Sequence, residues 1–282
     1  MPGPSFVAIV ASLHGQVGKT LLARTLTDYF VLSGGKPYIF DTDPVERGLH
    51  ALFPAEARVI DLVLVRDQML LFDTLAKPSP QMRIVDITHR SLTTFFELLR
   101  GTDVIAEARS HGIELAIFYI PDRRADSFEA GVILRDNFRD CAFIVVDNAF
   151  LKESKRSARQ GASYKALRAH NWRFAMPKLA DQVVEALEDY GLSLGNFMCQ
   201  PMSSNGEAPV PDNLTPELRI ALRTWVFRMF QEIYRLTHAL ATHEEPVAAK
   251  PVSPWDPGLE AWEETRTSSL EAVHWAFADE GE

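Results

Sequence analysis

The stretch SLHGQVGKT, residues 12 to 20, sets a glycine-containing turn, a lysine and a hydroxyl in direct succession. Backbone amides of such a turn wrap a phosphate, the following lysine neutralises terminal phosphates, and the next hydroxyl ligates Mg²⁺. Gly15, Gln16, Val17 and Gly18 make up the turn, Lys19 is the cation, Thr20 the magnesium ligand, and Leu21 carries the chain into a helix. The usual pattern begins on a glycine, and Leu13 stands at that position. A tight strand-to-helix turn with a surface lysine is the bland alternative. Two acidic stations follow. FDTDP, residues 40 to 44, offers Asp41 and Asp43, and RIVDI, residues 83 to 87, offers Asp86. Paired carboxylates one residue apart can share a magnesium-bound water and a nucleophilic water, and a single acid at the end of an apolar strand suits the metal's water shell. Either station taken by itself also fits a solvated turn.

Short apolar, β-branched-rich runs precede each station. FVAIVA (6 to 11), PYIF (37 to 40), RVIDLVLV (58 to 65), RIVDI (83 to 87), IELAIFYI (113 to 120), CAFIVVD (141 to 147) and WRFAM (172 to 176) read as strands. Helical patterns separate them at Lys19 to Ser33, Leu92 to Arg100, Asp103 to His111, Ser127 to Asn137, Gly161 to Ala169 and Lys178 to Tyr190. Strands alternating with helices predict βαβ units, hence an α/β fold whose mostly parallel sheet is buried on both faces. The carboxyl ends of such strands converge on one crevice, which gathers Lys19, Thr20, Asp41, Asp43 and Asp86. After the polar loop SSNGEAPVPDN (203 to 213), Thr215-Pro216-Glu217 opens a long helix with Leu218, Leu222, Trp225, Val226, Met229, Phe230 and Ile233 on one stripe.

The chain has 282 residues, 46% of them hydrophobic, which suffices for a sizeable core. No apolar run approaches the roughly 20 residues that span a bilayer, and the opening MPGPSFVAIVAS lacks a signal peptide's basic start and long apolar core. A cytoplasmic location is the expectation. Cys141 heads an apolar run and Cys199 lies far from it, which predicts a small buried hydrophobe rather than a disulfide or metal ligand. The net charge of −9 is concentrated at the end, since residues 243 to 282 carry ten acids against Lys250 and Arg266. The body, residues 1 to 242, is nearly neutral. Residues 243 to 258 contain four prolines and read as a linker, and residues 259 to 282 read as an acidic segment with one helix. No His/Cys metal spacing and no G-x-S-x-G elbow occur.

In its order of GxVGKT, DTDP and IVD the chain resembles the ParA/MinD group of deviant-Walker P-loop ATPases, and within that group it is most similar to the TraL-type ATPases of conjugal DNA transfer. The resemblance covers roughly residues 5 to 240. It implies a three-layer P-loop NTPase with ATP/ADP and Mg²⁺ as ligands. Gly15 and Gly18 would shape the loop, Lys19 bind the β and γ phosphates, Thr20 ligate Mg²⁺ with Asp41 and Asp86 in its outer shell, and Asp43 position the attacking water. Asn148 matches the group's base-recognition asparagine, and Met176-Pro177 the segment that closes over adenine. The chain departs from the pattern at His14, where the group's signature lysine reaches across a nucleotide-sandwich dimer, and at Gln16, where a second glycine stands. A histidine there is a weak cross-dimer cation or a loop residue facing solvent, and the first case implies slow hydrolysis.

Lys152, Lys155, Arg156, Arg159, Lys165, Arg168 and Arg173 fall within 22 residues whose only acid is Glu153, and Arg219, Arg223 and Arg235 lie on the long helix. A solvated helix face explains most such runs, with non-specific DNA binding as the alternative. Arg47 suits a nucleotide, a neighbouring subunit or a surface ion pair. An acidic tail is repelled by anionic membranes, and its Trp255, Trp262 and Trp275 suit docking on a protein partner, with a solubilising tail as the alternative. The expectation is an ATP-dependent switch, dimeric with nucleotide, in DNA partition or conjugal transfer. Its rivals are a nucleotide-binding regulatory module without significant hydrolysis, and an enzyme of ligation or metal-centre maturation on the same fold.

Overall fold

A computed structural model describes residues 6–151, 154, 156–184, 194–199 and 215–242. Seven strands form one sheet in which every pairing is parallel: β1 (Phe6–Ala11), β2 (Tyr38–Asp41), β3 (Ala57–Val59), β4 (Arg83–Asp86), β5 (Glu114–Tyr119), β6 (Ala142–Asn148) and β7 (Arg173–Met176), in the order β3-β2-β4-β1-β5-β6-β7. All six residues of β1 are buried, as a central parallel strand covered on both faces requires.

Side-chain alternation along β1 divides the core in two. Phe6, Ala8 and Val10 point to the face covered by α1 (Lys19–Leu32), α2 (Gly48–Leu52), α9 (Leu194–Cys199) and α10 (Pro216–Thr242). Val7, Ile9 and Ala11 point to the face covered by α3 (Val65–Ala76), α4 (Leu92–Gly101), α5 (Val104–Ser110), α6 (Ala125–Asn137), α7 (Arg156–Gln160) and α8 (Ala162–Arg168). The stripe expected on the long helix is the one it buries, with Leu222, Trp225, Val226, Met229 and Ile233 in the core. Cys141 is buried as a free thiol, pushed up to about 12 chiefly by burial.

The run RVIDLVLV does not form a strand over residues 58 to 65: β3 ends at Val59 and α3 begins at Val65. Asp61 breaks the run, accepting the Val63 amide on its carboxylate and the Leu64 amide on its backbone carbonyl, while Asp67 accepts the Asp61 amide. Two short-range acids thereby turn the chain, leaving Val63 and Val65 85% and 67% exposed. Helices α2, α3, α7 and α9 have no counterpart in the expected element list. The expected helix over 178 to 190 is helical at 181–184, and the rest of it, the loop 203 to 213 and the segments 243 to 258 and 259 to 282 lie outside the described residues. No helix among the described residues is long and apolar enough to cross a membrane.

Candidate functional site

The loop between β1 and α1 lies at the carboxyl end of the central strand. Two of its residues have left-handed backbones, Gln16 at φ 57° and Gly18 at φ 89°. Gly18 has no room for a side chain: a Cβ there would lie 2.9 Å from Asn148 Nδ2 and 3.2 Å from Met176 Cε. Asn148 Nδ2 donates to the Val17 carbonyl at 2.9 Å, so β6 ties down the loop. A Cβ on Gly15 would meet the His89 ring at 3.3 Å, which places the His89 imidazole over the turn. Lys19, 8% exposed, reaches back and donates from Nζ to the His14 carbonyl at 2.9 Å. Burial lowers its pKa, opposed by Asp86, Asp43 and Glu46.

Strand register brings two acids side by side, since Asp41 on β2 pairs with Asp86 on β4. Asp86 accepts the Thr20 hydroxyl on Oδ2 at 2.7 Å, while its buried Oδ1 has no hydrogen-bond partner. Burial pushes Asp86 up to about 6, with Asp41 and Asp43 adding to the rise and Thr20 and Lys19 opposing it. An orphaned carboxylate oxygen beside a hydroxyl is a donor set that fits Mg²⁺. Asp41 is committed elsewhere: Oδ1 accepts the Asp43 amide, and Oδ2 accepts the amides of Leu49 and His50 at the start of α2. Asp43 Oδ1 accepts the Val45 and Glu46 amides and Oδ2 the Thr88 hydroxyl, and these bonds hold its pKa below the usual range against a partial desolvation.

Lys19, Thr20, Asp43 and Asp86 therefore share one neighbourhood, with Asp41 bracing it from beneath. Gln16 is exposed, Val17 buried and Leu21 half-buried. Met176 and Pro177 sit beside the loop at the end of β7, and the Pro177 carbonyl accepts the Trp225 indole N–H from α10 at 2.8 Å. Arg47 donates from Nε to the Pro44 carbonyl at 3.0 Å.

His14 faces neither solvent nor open space. Its Nδ1 lies 2.9 Å from Asp122 Oδ2 and its Nε2 3.5 Å from Asp126 Oδ2. Sequence reasoning missed Asp122, Asp126, Thr88 and His89 as neighbours of this loop, and it gave Trp225 only as part of a buried stripe. PDRRAD begins two residues past the end of β5, so the rule that carboxyl ends of strands converge was signal enough for the two acids. Nothing local marks Trp225, whose partner is 48 residues away.

Part of the basic run and part of the second basic set on the long helix are engaged within the fold. Arg168 and Arg173 both pair with Asp147, Arg223 donates to the Phe197 carbonyl, and Arg235 bonds Glu232 and the Arg173 carbonyl. Lys152 and Lys155 lie outside the described residues. A scan against protein-family models finds no match to this chain, and a search of curated proteins finds none.

Proposed function

We propose that the chain is a Mg²⁺-dependent ATP switch of the ParA/MinD type, acting in the cytoplasm in DNA partition or conjugal transfer and hydrolysing ATP slowly. One observation supports it most: Lys19, Thr20 and Asp86, separated by up to 67 positions in sequence, meet at the carboxyl end of β1, with the hydroxyl of Thr20 on Asp86. In this reading Lys19 exchanges the His14 carbonyl for the β and γ phosphates, and the amides of residues 15 to 20 close around them. Thr20 and Asp86 are the residues to hold Mg²⁺, which when bound neutralises charge between the phosphates. Asp43, kept ionised and anchored by three donors, orients a water rather than abstracting its proton. Asn148, Met176 and Pro177 line the side where a base would lie. An ATP-dependent homodimer, DNA contact through the remaining basic residues and a protein partner on the acidic tail belong to the same proposal.

A regulatory module that binds nucleotide without significant hydrolysis is favoured by one arrangement: the His14 ring is engaged by Asp122 and Asp126. Calorimetry with MgATP on the full chain and on Lys19→Ala, followed by phosphate release with and without DNA, separates the readings. Binding lost in Lys19→Ala with release above its background supports the switch. Binding without release selects the regulatory module, and no heat for the wild type overturns both.

A further inference from the structure

His14, Asp122 and Asp126 each offer a ligand atom, and these atoms all lie within 4.8 Å of one another. They come from two separate parts of the chain, the loop after β1 and the turn from β5 into α6. Both carboxylates are oriented by the backbone. Asp122 Oδ1 accepts the Arg124 amide at 2.7 Å and Asp126 Oδ1 accepts the Ser127 amide at 2.9 Å, which leaves Oδ2 of each toward the imidazole. The Asp122 amide is itself fixed on Ser127 Oγ, and the Tyr119 hydroxyl donates to the Ser127 carbonyl. Supporting bonds of this kind orient the ligands in a metal site.

The His14 ring does not complete an ordinary hydrogen bond. Its Nδ1 is buried without a hydrogen-bond partner even though Asp122 Oδ2 is 2.9 Å away, because that oxygen lies off the line of a ring N–H. A metal ion on a ring nitrogen leaves its other ligands off that line, at a tetrahedral angle, so the offset suits a shared cation. Ligands of a tetrahedral Zn²⁺ stand about 3.4 Å apart, given bond lengths of about 2.0 to 2.2 Å. Asp122 Oδ2 stands 2.9 Å from Nδ1 and Asp126 Oδ2 3.5 Å from Nε2; only one ring nitrogen can take an ion, and with one atom from each residue the set spans at most 4.8 Å, a spread that small side-chain rotations close around a cation. Arg124 Nε also lies on Asp122 Oδ2 at 3.0 Å, but that side chain is 56% exposed and can swing out. Asp126, 56% exposed, gives an ion its route in.

We propose that His14, Asp122 and Asp126 bind a borderline divalent transition metal, Zn²⁺ being the best match, distinct from the Mg²⁺ position at Thr20 and Asp86. An imidazole nitrogen in the set favours Zn²⁺, Co²⁺ or Ni²⁺ over Mg²⁺ or Ca²⁺. Three protein ligands leave at least one position for water or another donor. The same residue whose ring holds the ion holds Lys19 through its carbonyl, so occupancy stiffens the loop from which Lys19 acts. The site stands independently of the nucleotide reading.

Co²⁺ titration of the full chain, free of nucleotide and Mg²⁺, reads the site through its visible ligand-field absorption. Expected is a Co²⁺ band displaced by Zn²⁺ and untouched by excess Mg²⁺. Affinity falls at least about ten-fold in both His14→Ala and Asp126→Asn, and stays unchanged in Thr20→Ala. Asp126→Asn alters an exposed side chain, so it reports even where His14→Ala perturbs the loop; circular dichroism checks the fold of each. No band in the wild type, or a band of undiminished affinity in folded His14→Ala and Asp126→Asn, overturns the proposal and leaves His14 as an ion-pair partner of the two acids.

Discussion

The hydroxyl of Thr20 donates to Asp86 Oδ2 at 2.7 Å, linking the first turn of α1 to the end of β4. The bond satisfies one carboxylate oxygen and leaves the other, fully enclosed, without a partner. A carboxyl so placed ionises at a cost, and its pKa stands at about 6 against an ordinary 3.8.

The sign of the pH dependence follows. A raised native pKa means the folded chain holds a proton that the unfolded chain has already lost. The stability this gives is fully present below pH 3.8 and is lost as pH rises through about 6. In the unliganded protein Asp86→Asn keeps an acceptor for Thr20 and removes the buried charge. It is therefore expected to be more stable than the wild type at pH 7.5, by about 1 to 3 kcal/mol, with the gap closing toward pH 4. Urea denaturation of both proteins across that range checks it, and a gap that widens on acidification refutes the account. The same variant should weaken Mg²⁺-dependent nucleotide binding, opposing the stability gain.

How much of this was legible in the sequence depends on the range of the interaction. The strands β1, β5 and β6 are built on continuous apolar runs, and such runs are legible because a doubly covered parallel strand has no polar face, whereas β4, RIVD, is short and bounded by Arg83 and Asp86. RVIDLVLV has the same composition yet ends after Val59, because β3 is an edge strand paired only with β2 and Asp61 outcompetes the ladder for the Val63 amide. Lys19, Thr20 and Asp86 were legible from type and order. The commitment of Asp41 to the amides of Leu49 and His50 was not, since it depends on a helix of five residues that has no periodicity to read. The turning of His14 toward Asp122 needs the β1-β5 pairing, which no local pattern encodes.

Gly131 lies within α6 where that helix crosses Tyr119 and Leu167. A Cβ there would stand 2.7 Å from Tyr119 Cε1 and 2.8 Å from Leu167 Cδ1. Helix propensity favours alanine by about 1 kcal/mol, but overpacking a fixed aromatic costs about 1 to 3 kcal/mol. Gly131→Ala is expected to lower the melting temperature. Gly101, at the end of α4 with nothing within 4 Å of its Cβ position, is the control, and Gly101→Ala should be neutral or slightly stabilising. Equal shifts for the two variants would show that packing, rather than propensity, had been misjudged.

Arg83 on β4 is completely buried and donates to the carbonyls of Thr74, Lys77 and Gln81, closing the end of α3 onto the sheet. Removing the fork strands several buried acceptors at once, and each costs about 1 to 3 kcal/mol. Arg83→Met should destabilise by about 3 kcal/mol or more, within reach of unfolding a domain of ordinary stability. Arg83→Lys should recover only part, because one ammonium lacks the planar geometry to serve three carbonyls. Chemical denaturation ranks the three proteins, and full recovery by lysine would contradict the role given to the guanidinium.

Trp225 reaches from α10 to the end of β7, where its indole N–H meets the Pro177 carbonyl at 2.8 Å. The ring is 3% exposed, so its area is already fixed in the core and the bond adds direction rather than burial. Trp225→Phe keeps most of the apolar contact and deletes the donor. The stranded carbonyl and the smaller ring together should cost about 1 to 3 kcal/mol. Met176, next to that carbonyl, comes within 3.2 Å of the Cβ position of Gly18, so slackening at Pro177 is felt at the loop between β1 and α1. If Met176 and Pro177 line a base, Trp225→Phe should weaken ATP more than inorganic triphosphate, which has no base to contact them. Calorimetry with both ligands on both proteins reads the difference. Equal losses for ATP and triphosphate would assign Trp225 to general stability and remove Pro177 from the base-binding wall.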